Sequence, residues 1–459
     1  MHKQRIAVIG GVAAGPAAAA QAARVDPGAE VVLFEQGHEI SYSACEIPYF
    51  VAGTVSSADD LVVLTPERFR ETRGAAVWVR HRVKALFPPR NRLVVANLET
   101  GQVREERFDK FILATGATPR MPGLAGEDAP NVFPVRTLEG AGALRALLDT
   151  TPVQHAVVMG GGYIGLEMAE ALRARGLRVT ILEPGPGLLQ GYLDAPLRPL
   201  VQQAVQAQGV LVRQEQATGF EQQADGRVRA VITDRGEKIG CQLVILAIGL
   251  KPRTELAREA GLKCGETGAL VVDDRMRTKA PNVWACGDCI EVERIVDRKK
   301  VYAPLSPVAY RTARVAGENA ARQGRGAGAR FPGVTGASAV KVFGLEIAVA
   351  GLRLSEALAA GYDAYAVSIT HTSRARAYPG AKPLQVRLVA ERSRGRLLGG
   401  AVIGEEGAAL RCNVLIPLLR RGGDVAELRD LDLLYAPPFA PALDPLLVAA
   451  NEAVKQRHL

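Results

Sequence analysis

The chain has 459 residues, 48% hydrophobic and 23% charged, the balance of a soluble globular protein with room for about three domains. Its net charge of +9 is scattered, with no block of like charges, which argues against nucleic acid and for phosphate-rich small molecules. Six cysteines (Cys45, Cys241, Cys264, Cys286, Cys289 and Cys412) are too few to staple a chain this long, which excludes a disulfide framework and fits a reducing cytoplasm.

The N-terminal segment Met1–Ala23 has basic residues, an apolar run and alanines, as a signal peptide does. Gly10, Gly11 and Gly15 break the run, however, and a strand followed by a tight turn explains it better. No stretch has the uncharged apolar length of a membrane span. Residues 5–9 read as a buried parallel strand, Gly10–Gly15 (G-G-V-A-A-G) as a turn, and the alanine-rich run to Arg24 as a helix. Val31–Phe34 is a second strand ending at Glu35, 20 residues after Gly15. This is a dinucleotide-binding βαβ pattern. Gly10 permits the turn, Gly11 and Ala14 lie along it, and Gly15 lets helix and strand pack closely. The helix N-terminus favours a pyrophosphate, and Glu35 can accept bonds from a ribose. Val12 stands where the middle glycine is usual.

Ser41–Phe50 (S-Y-S-A-C-E-I-P-Y-F) then delivers Cys45, with no second cysteine nearby. A lone thiol beside a dinucleotide site suggests sulfur redox chemistry, whereas a free cysteine is more commonly an inert buried side chain. Pro66–Arg73 reads as a charged helix, Val77–Val83 as a strand, and Phe111–Ala114 as a strand entering A-T-G, Ala114–Gly116. The βαβ pattern then recurs. Ala156–Met159 is a strand, G-G-G-Y-I-G spans Gly160–Gly165, and the strand Arg178–Leu182 ends at Glu183. Here Gly160, Gly162 and Gly165 complete the fingerprint around Tyr163 and Ile164. Two such units predict two dinucleotides. Glu183 would repel a 2′-phosphate and no arginine follows it directly, which favours NADH while leaving NADPH open.

Leu243–Leu246 leads into A-I-G, Ala247–Gly249, echoing the earlier A-T-G. In Asn282–Cys289 (N-V-W-A-C-G-D-C) a strand ends in Gly-Asp, which can place Asp288 on a cofactor hydroxyl. Cys286 and Cys289 have a spacing seen in metal sites, but with no second pair and no histidine at ligand spacing we expect no metal. Residues 301–319 read as a turn and a helix starting near Pro304. Gln323–Gly336 reads as a linker. Beyond it, Ala339–Val349, Ala364–Ile369, Leu384–Val389 and Leu397–Ile403 read as strands, and Ala408–Arg420 and Pro445–Lys455 as helices. Two aromatic-proline clusters, Ala377–Gly380 and Tyr435–Phe439, read on their own as turns.

In this order the motifs resemble the pyridine nucleotide–disulfide oxidoreductases over essentially the whole chain. They are most similar to the single-cysteine branch: coenzyme A disulfide reductases, with NADH oxidases and peroxidases as cousins. The resemblance implies an α/β fold with two Rossmann-like dinucleotide-binding domains, for FAD and NAD, and a C-terminal α+β dimerisation domain. The implied division is FAD-binding at 1–115 and 249–325, NAD(P)H-binding at 116–248 and dimerisation at 326–459. It further implies FAD contacts from Val83, Thr115, Gly116, Asp288, Pro304 and Leu305, a coenzyme contact from Gly249, and Tyr163 as a gate over the flavin. Two-cysteine relatives carry a second thiol five residues on. That position is Phe50 here, so the partner sulfur is expected from a substrate.

Peroxidase relatives carry a histidine where this chain has Ala13 and Ala14, which favours disulfide over peroxide. Tyr378 and Tyr435 match tyrosines that reach the other subunit's cysteine, so a homodimer is implied. Coenzyme A contacts carry over onto Gln21, Arg24, Ser41 and Arg73. Ala17, Ala44 and Leu443 stand where polar contacts are usual, which opens polysulfide or another small disulfide as substrate. Two rivals remain: an NADH oxidase acting on O₂, and a non-enzymatic flavoprotein that binds nucleic acid. The second needs a clustered basic face.

Overall fold

The computed structural model describes residues 3–322 and 327–457. Two parallel five-stranded sheets interleave along the chain. The first runs in the order Val283–Ala285, Lys110–Leu113, Arg5–Ile9, Glu30–Phe34, Ala76–Trp78. Its strands are nearly continuous Val, Ile, Leu and Phe because helices cover them, and Ile6, Leu33, Phe111, Ile112 and Leu113 are wholly buried. The second runs Val210–Arg213, Arg178–Leu182, His155–Met159, Leu243–Leu246, Val132–Pro134. In both sheets the first two strands of the motif finish in register, Ile9 with Phe34 and Met159 with Leu182. Each glycine turn therefore emerges beside its acidic residue, at the carboxyl edge where such sheets bind ligands.

The helix Ala14–Val25 packs on the helix Ser306–Ala321 through small side chains, among them Ala18, Ala22, Ala313 and Ala316, all without exposed surface. This draws a segment late in the chain against the first glycine turn. A third, antiparallel sheet follows the order Ser338–Val342, Leu345–Gly351, Leu397–Gly404, Pro383–Glu391, Ala364–Thr372. It has its own core of Leu384, Leu388, Val402, Leu415 and Leu446.

Three expected elements divide. Val77–Val83 becomes two strands, Ala76–Trp78 and His81–Phe87, because Arg80 takes a left-handed turn at φ 56°. Ala339–Val349 folds back as a hairpin at Phe343 and Gly344, φ 50° and 79°. Ala408–Arg420 forms two short helices, Ala408–Cys412 and Leu415–Arg421. Of the expected linker, 323–326 lie outside the described residues. Phe331 and Val334 are buried in the first core and Val334 bridges to Arg294, so that part is integral to the fold. The helix expected near Pro304 starts at Ser306. Among the described residues no helix is long and apolar enough to cross a membrane.

Candidate active site

The two glycine turns are built alike. Gly10 and Gly160 take φ of 109° and 106°, and a Cβ at either would lie 2.2 or 2.4 Å from a carbonyl oxygen, that of Ala114 or Ala247. Only glycine fits there. The A-T-G and A-I-G segments thus press on the two turns. Gly15 and Gly165 repeat the pattern, since a Cβ on either would strike the oxygen of Gly10 or Gly160. The acidic residues bind the turns themselves. Glu35 accepts from the N–H groups of Gly11 at 2.6 Å and Gly37 at 2.7 Å. Glu183 accepts from those of Gly161 at 2.8 Å and Gly185 at 2.9 Å. Each carboxylate is held at its strand end with lone pairs left for a ribose.

The first unit fits a flavin dinucleotide. Gly287 (φ 75°) meets Ala14, whose Cβ would be 2.7 Å from a side chain there, so the Gly-Asp turn seats Asp288 against the first helix. Asp288 accepts from Arg136 at 2.8 Å. The Tyr302 hydroxyl is buried with no hydrogen-bond partner among the described residues, and its pKa is raised by desolvation first and then by Asp288. An orphaned phenol beside a carboxylate at the dinucleotide turn is what a polar cofactor would satisfy. Thr115 donates to the Arg253 carbonyl at 2.6 Å, Gly116 takes φ 71°, and Val83 is 9% exposed. Pro304 and Leu305 immediately precede the Ser306 helix, with Leu305 at its N-cap. Cys286 and Cys289 are fully buried, and the Cys289 thiol donates to backbone oxygens of Leu113 and Cys286. These two are packing residues.

Cys45 is exposed and lies in a single 3₁₀ turn, Ala44–Glu46, that runs into the helix Ile47–Ala52. Its sulfur is 3.3 Å from the hydroxyl of Ser306, the first residue of a 16-residue helix. The thiol therefore meets the positive end of that helix. The segment is pinned at both ends. Ser41, left-handed at φ 50°, donates its N–H to Gly11 O at 2.9 Å. Arg145 and Arg175, from the second dinucleotide unit, cap the carbonyls of Phe50 and Val51 at 2.7 and 3.3 Å.

The second unit carries an open cavity of about 520 Å³ along Gly161, Gly162 and Glu183, walled by Tyr192, Arg198 and Arg353. Gly162 has no atom within 4 Å of where a Cβ would be, so its open side fits a pyrophosphate. Tyr163, with Ile164, opens the helix Tyr163–Ala174. Its ring stacks on Tyr192 (centroids 4.0 Å, 22° between planes), and its hydroxyl is 2.8 Å from that of Ser338 in the third sheet. Gly249 takes φ 108° beyond the second sheet. Glu167, one turn on from Tyr163, is pushed up to about 7 by burial first and by Glu170 second.

Gln21 and Arg24 lie on one helix and bond each other. Gly74, directly after Arg73, stands 3.8 Å (as a Cβ) from Ala23, directly before Arg24, so the two arginines share one end of the fold. Tyr378 and Tyr435 are 38% and 55% exposed, and their loops adjoin through Ala375 N–H to Pro437 O at 3.1 Å. Neither is hydrogen-bonded to Cys45 within the chain. Ser306, Arg136, Tyr192 and Arg198 were not singled out from sequence. Ser306 is 261 residues from Cys45, and none of the four sits in a motif.

Comparison with known proteins places the whole chain in one family. The pyridine nucleotide-disulphide oxidoreductase family model matches residues 4–320, and its dimerisation-domain model residues 337–446. A relative from Pyrococcus horikoshii named NAD(P)H coenzyme A polysulfide/persulfide reductase is 35% identical over 98% of both chains. A Methanocaldococcus jannaschii protein named NADH oxidase is 32% identical over 98% of this chain and 99% of its own. The structure of an NAD-dependent persulfide reductase from A. fulgidus superposes with a TM-score of 0.95 at 34% identity, covering 99% of this chain and 84% of that one. With matching motifs, sheets and family models along its length, the chain belongs to the pyridine nucleotide-disulphide oxidoreductase family.

Proposed function

We propose that the chain is an NAD(P)H-dependent flavoprotein that reduces coenzyme A disulfide, polysulfide or a related small disulfide through Cys45. The observation that carries this is the exposed Cys45 sulfur 3.3 Å from Ser306 at a helix start, beside a turn that fits a dinucleotide. In this reading Glu35, Asp288 and the first glycine turn hold FAD, and Glu183 and the second turn hold the nicotinamide coenzyme. A bound FAD supplies two-electron transfer between that coenzyme and a disulfide.

Cys45 does the sulfur chemistry. Its thiolate, at the start of the Ser306 helix, attacks one sulfur of R–S–S–R′; a Cys45–S–S–R bond forms as R′–S⁻ leaves. Tyr435 or Tyr378 from a second copy donates the proton to that leaving sulfur. The electron pair from NAD(P)H then cleaves the mixed disulfide, releasing R–S⁻, which takes a proton as R–SH, and restoring the Cys45 thiolate. Tyr163 covers the coenzyme's approach, and Ser306 orients the sulfur. Arg24, bonded to Gln21, and Arg73 suit the phosphates of coenzyme A, and Ser41 is a further candidate contact. The exposed Leu434, Tyr435, Phe439 and Leu443 support a homodimer across the third domain. Six unpaired cysteines support a cytoplasmic setting.

A Cys45→Ser protein is expected to keep FAD and lose disulfide reduction. Full turnover by that variant would end the proposal. The mass of the purified, unreduced protein identifies the thiol carried on Cys45. The named oxidase relative favours a second reading, in which O₂ accepts the electrons. Oxygen consumption that continues in the absence of any thiol or disulfide would establish it.

A further inference from the structure

We propose that Arg198 recognises the 2′-phosphate of NADPH, so that the second site takes both nicotinamide coenzymes. The inference rests on reading the second glycine turn as the coenzyme site. Discrimination between the coenzymes usually falls to the residue at the strand end and an arginine near it. Here the strand ends in Glu183, followed by Pro184-Gly185-Pro186-Gly187, with no cation. The fold supplies one from further along. Arg198 opens the helix Arg198–Ala207, and its Cβ and Cδ would be 3.6 Å from a Cβ on Gly187. Its stem therefore lies on the loop that leaves Glu183, and Arg198 and Glu183 line the same cavity. The Nε–H is anchored to the Leu193 carbonyl at 3.1 Å, and no carboxylate pairs with the guanidinium among the described residues.

Arg353, on the same cavity, is already committed. It donates to the Gln190 carbonyl at 2.8 Å and to Glu356 at 3.1 Å, which balances its charge. Among the described residues lining the cavity, Arg198 is thus the cation without a carboxylate partner. Glu183 would repel that 2′-phosphate, a repulsion reduced because both of its carboxylate oxygens accept backbone N–H bonds. A guanidinium–phosphate bond is charge-assisted and two-pronged, strong enough to offset that repulsion.

The test compares 2′,5′-ADP with 5′-AMP, which differ only in the 2′-phosphate, by calorimetry on the purified holoprotein. The wild type is expected to bind 2′,5′-ADP at least as tightly as 5′-AMP, and Arg198→Gln to weaken 2′,5′-ADP alone by roughly tenfold. Arg198→Lys, which keeps the charge and loses the fork, is expected to fall between them and covers a misfolded glutamine variant. Anaerobic reduction of the bound flavin by NADPH and by NADH should show the same change in ratio. Equal weakening of both fragments by Arg198→Gln would overturn the inference, since the arginine would then serve the shared phosphate. Wild-type preference for 5′-AMP would overturn it too. If neither fragment binds, the reading of the second turn as the coenzyme site fails as well, a result separable from any failure of disulfide turnover.

Discussion

Ser338→Ala tests whether Tyr163 is a latched gate. The Tyr163 ring is held by two contacts, its stack on Tyr192, which walls the cavity, and its hydroxyl bond to Ser338 at 2.8 Å. The phenol is a neutral partner at any working pH, since burial pushes its pKa up. A neutral hydrogen bond contributes about 0.5–1.5 kcal/mol net, and an aromatic stack about the same. Swinging the ring aside therefore costs roughly 1–3 kcal/mol, and the open form is a minor state. Removing the serine hydroxyl deletes the first contribution and raises the open population roughly two- to tenfold. If Tyr163 is such a gate, only the open form admits coenzyme, and the apparent Kd for NADH should fall by the same factor. The assay is anaerobic stopped-flow reduction of the holoenzyme's flavin over a range of NADH concentrations. Tyr163→Phe deletes the same bond, so the double variant should go no further than either single one. Weaker NADH binding in Ser338→Ala, or effects of the two substitutions that add, would refute the latch.

Two other outcomes follow from the same regions. Glu167 holds its proton more tightly folded than unfolded, with its pKa moved from an ordinary 4.5 to about 7 by burial and then Glu170. Stability should therefore fall as pH rises from about 4.5 to 7, by on the order of 3 kcal/mol at about 1.4 kcal/mol per tenfold change in proton affinity. Glu167→Gln should remove that slope in urea-unfolding midpoints measured against pH, and parallel curves for the two proteins would sink the assignment. Gly162→Ala and Gly160→Ala separate coenzyme from fold. A methyl at 162 meets nothing in the chain, so the protein should melt within about 1 °C of wild type yet bind NADH at least roughly tenfold more weakly. A methyl at 160 strikes the Ala247 carbonyl at 2.4 Å with φ at 106°, and should lower the melting temperature as well. Equal melting temperatures for both would contradict this.

The parts legible from sequence were those in which one residue type answers one local demand. Gly10 and Gly160 had to be glycine because a carbonyl crosses them, and that crossing is written in the spacing of each motif. Glu35 and Glu183 were legible for the same reason, each ending a strand beside its turn. The parts that were not legible depend on contacts between distant segments. Nothing near Ser306 announces that its hydroxyl will stand against a sulfur 261 residues away. Arg198 lies 15 residues beyond Glu183, past the window in which a motif would place a coenzyme contact, and only the return of its helix onto Gly187 brings it back. The hairpin at Phe343 and Gly344 was hidden by apolar residues that run through the bend, so alternation alone gave one long strand.

The wall of the coenzyme cavity has a consequence for how the two halves of a dimer communicate. The segment 190–194 is tied to the third domain at three points. Arg353 donates to Gln190 O at 2.8 Å, Leu354 N–H to Asp194 at 3.0 Å, and Arg387 pairs with Asp194 at 2.9 Å, with Arg387 only 8% exposed. Tyr192 rides in the middle of that tether. Under the proposed function, a shift of that tyrosine on admitting a nicotinamide ring would bear on the sheet carrying Arg387, the sheet of the domain that also holds Tyr378 and Tyr435. Electron entry in one subunit and sulfur release in the other would then be mechanically linked through a single short span of backbone.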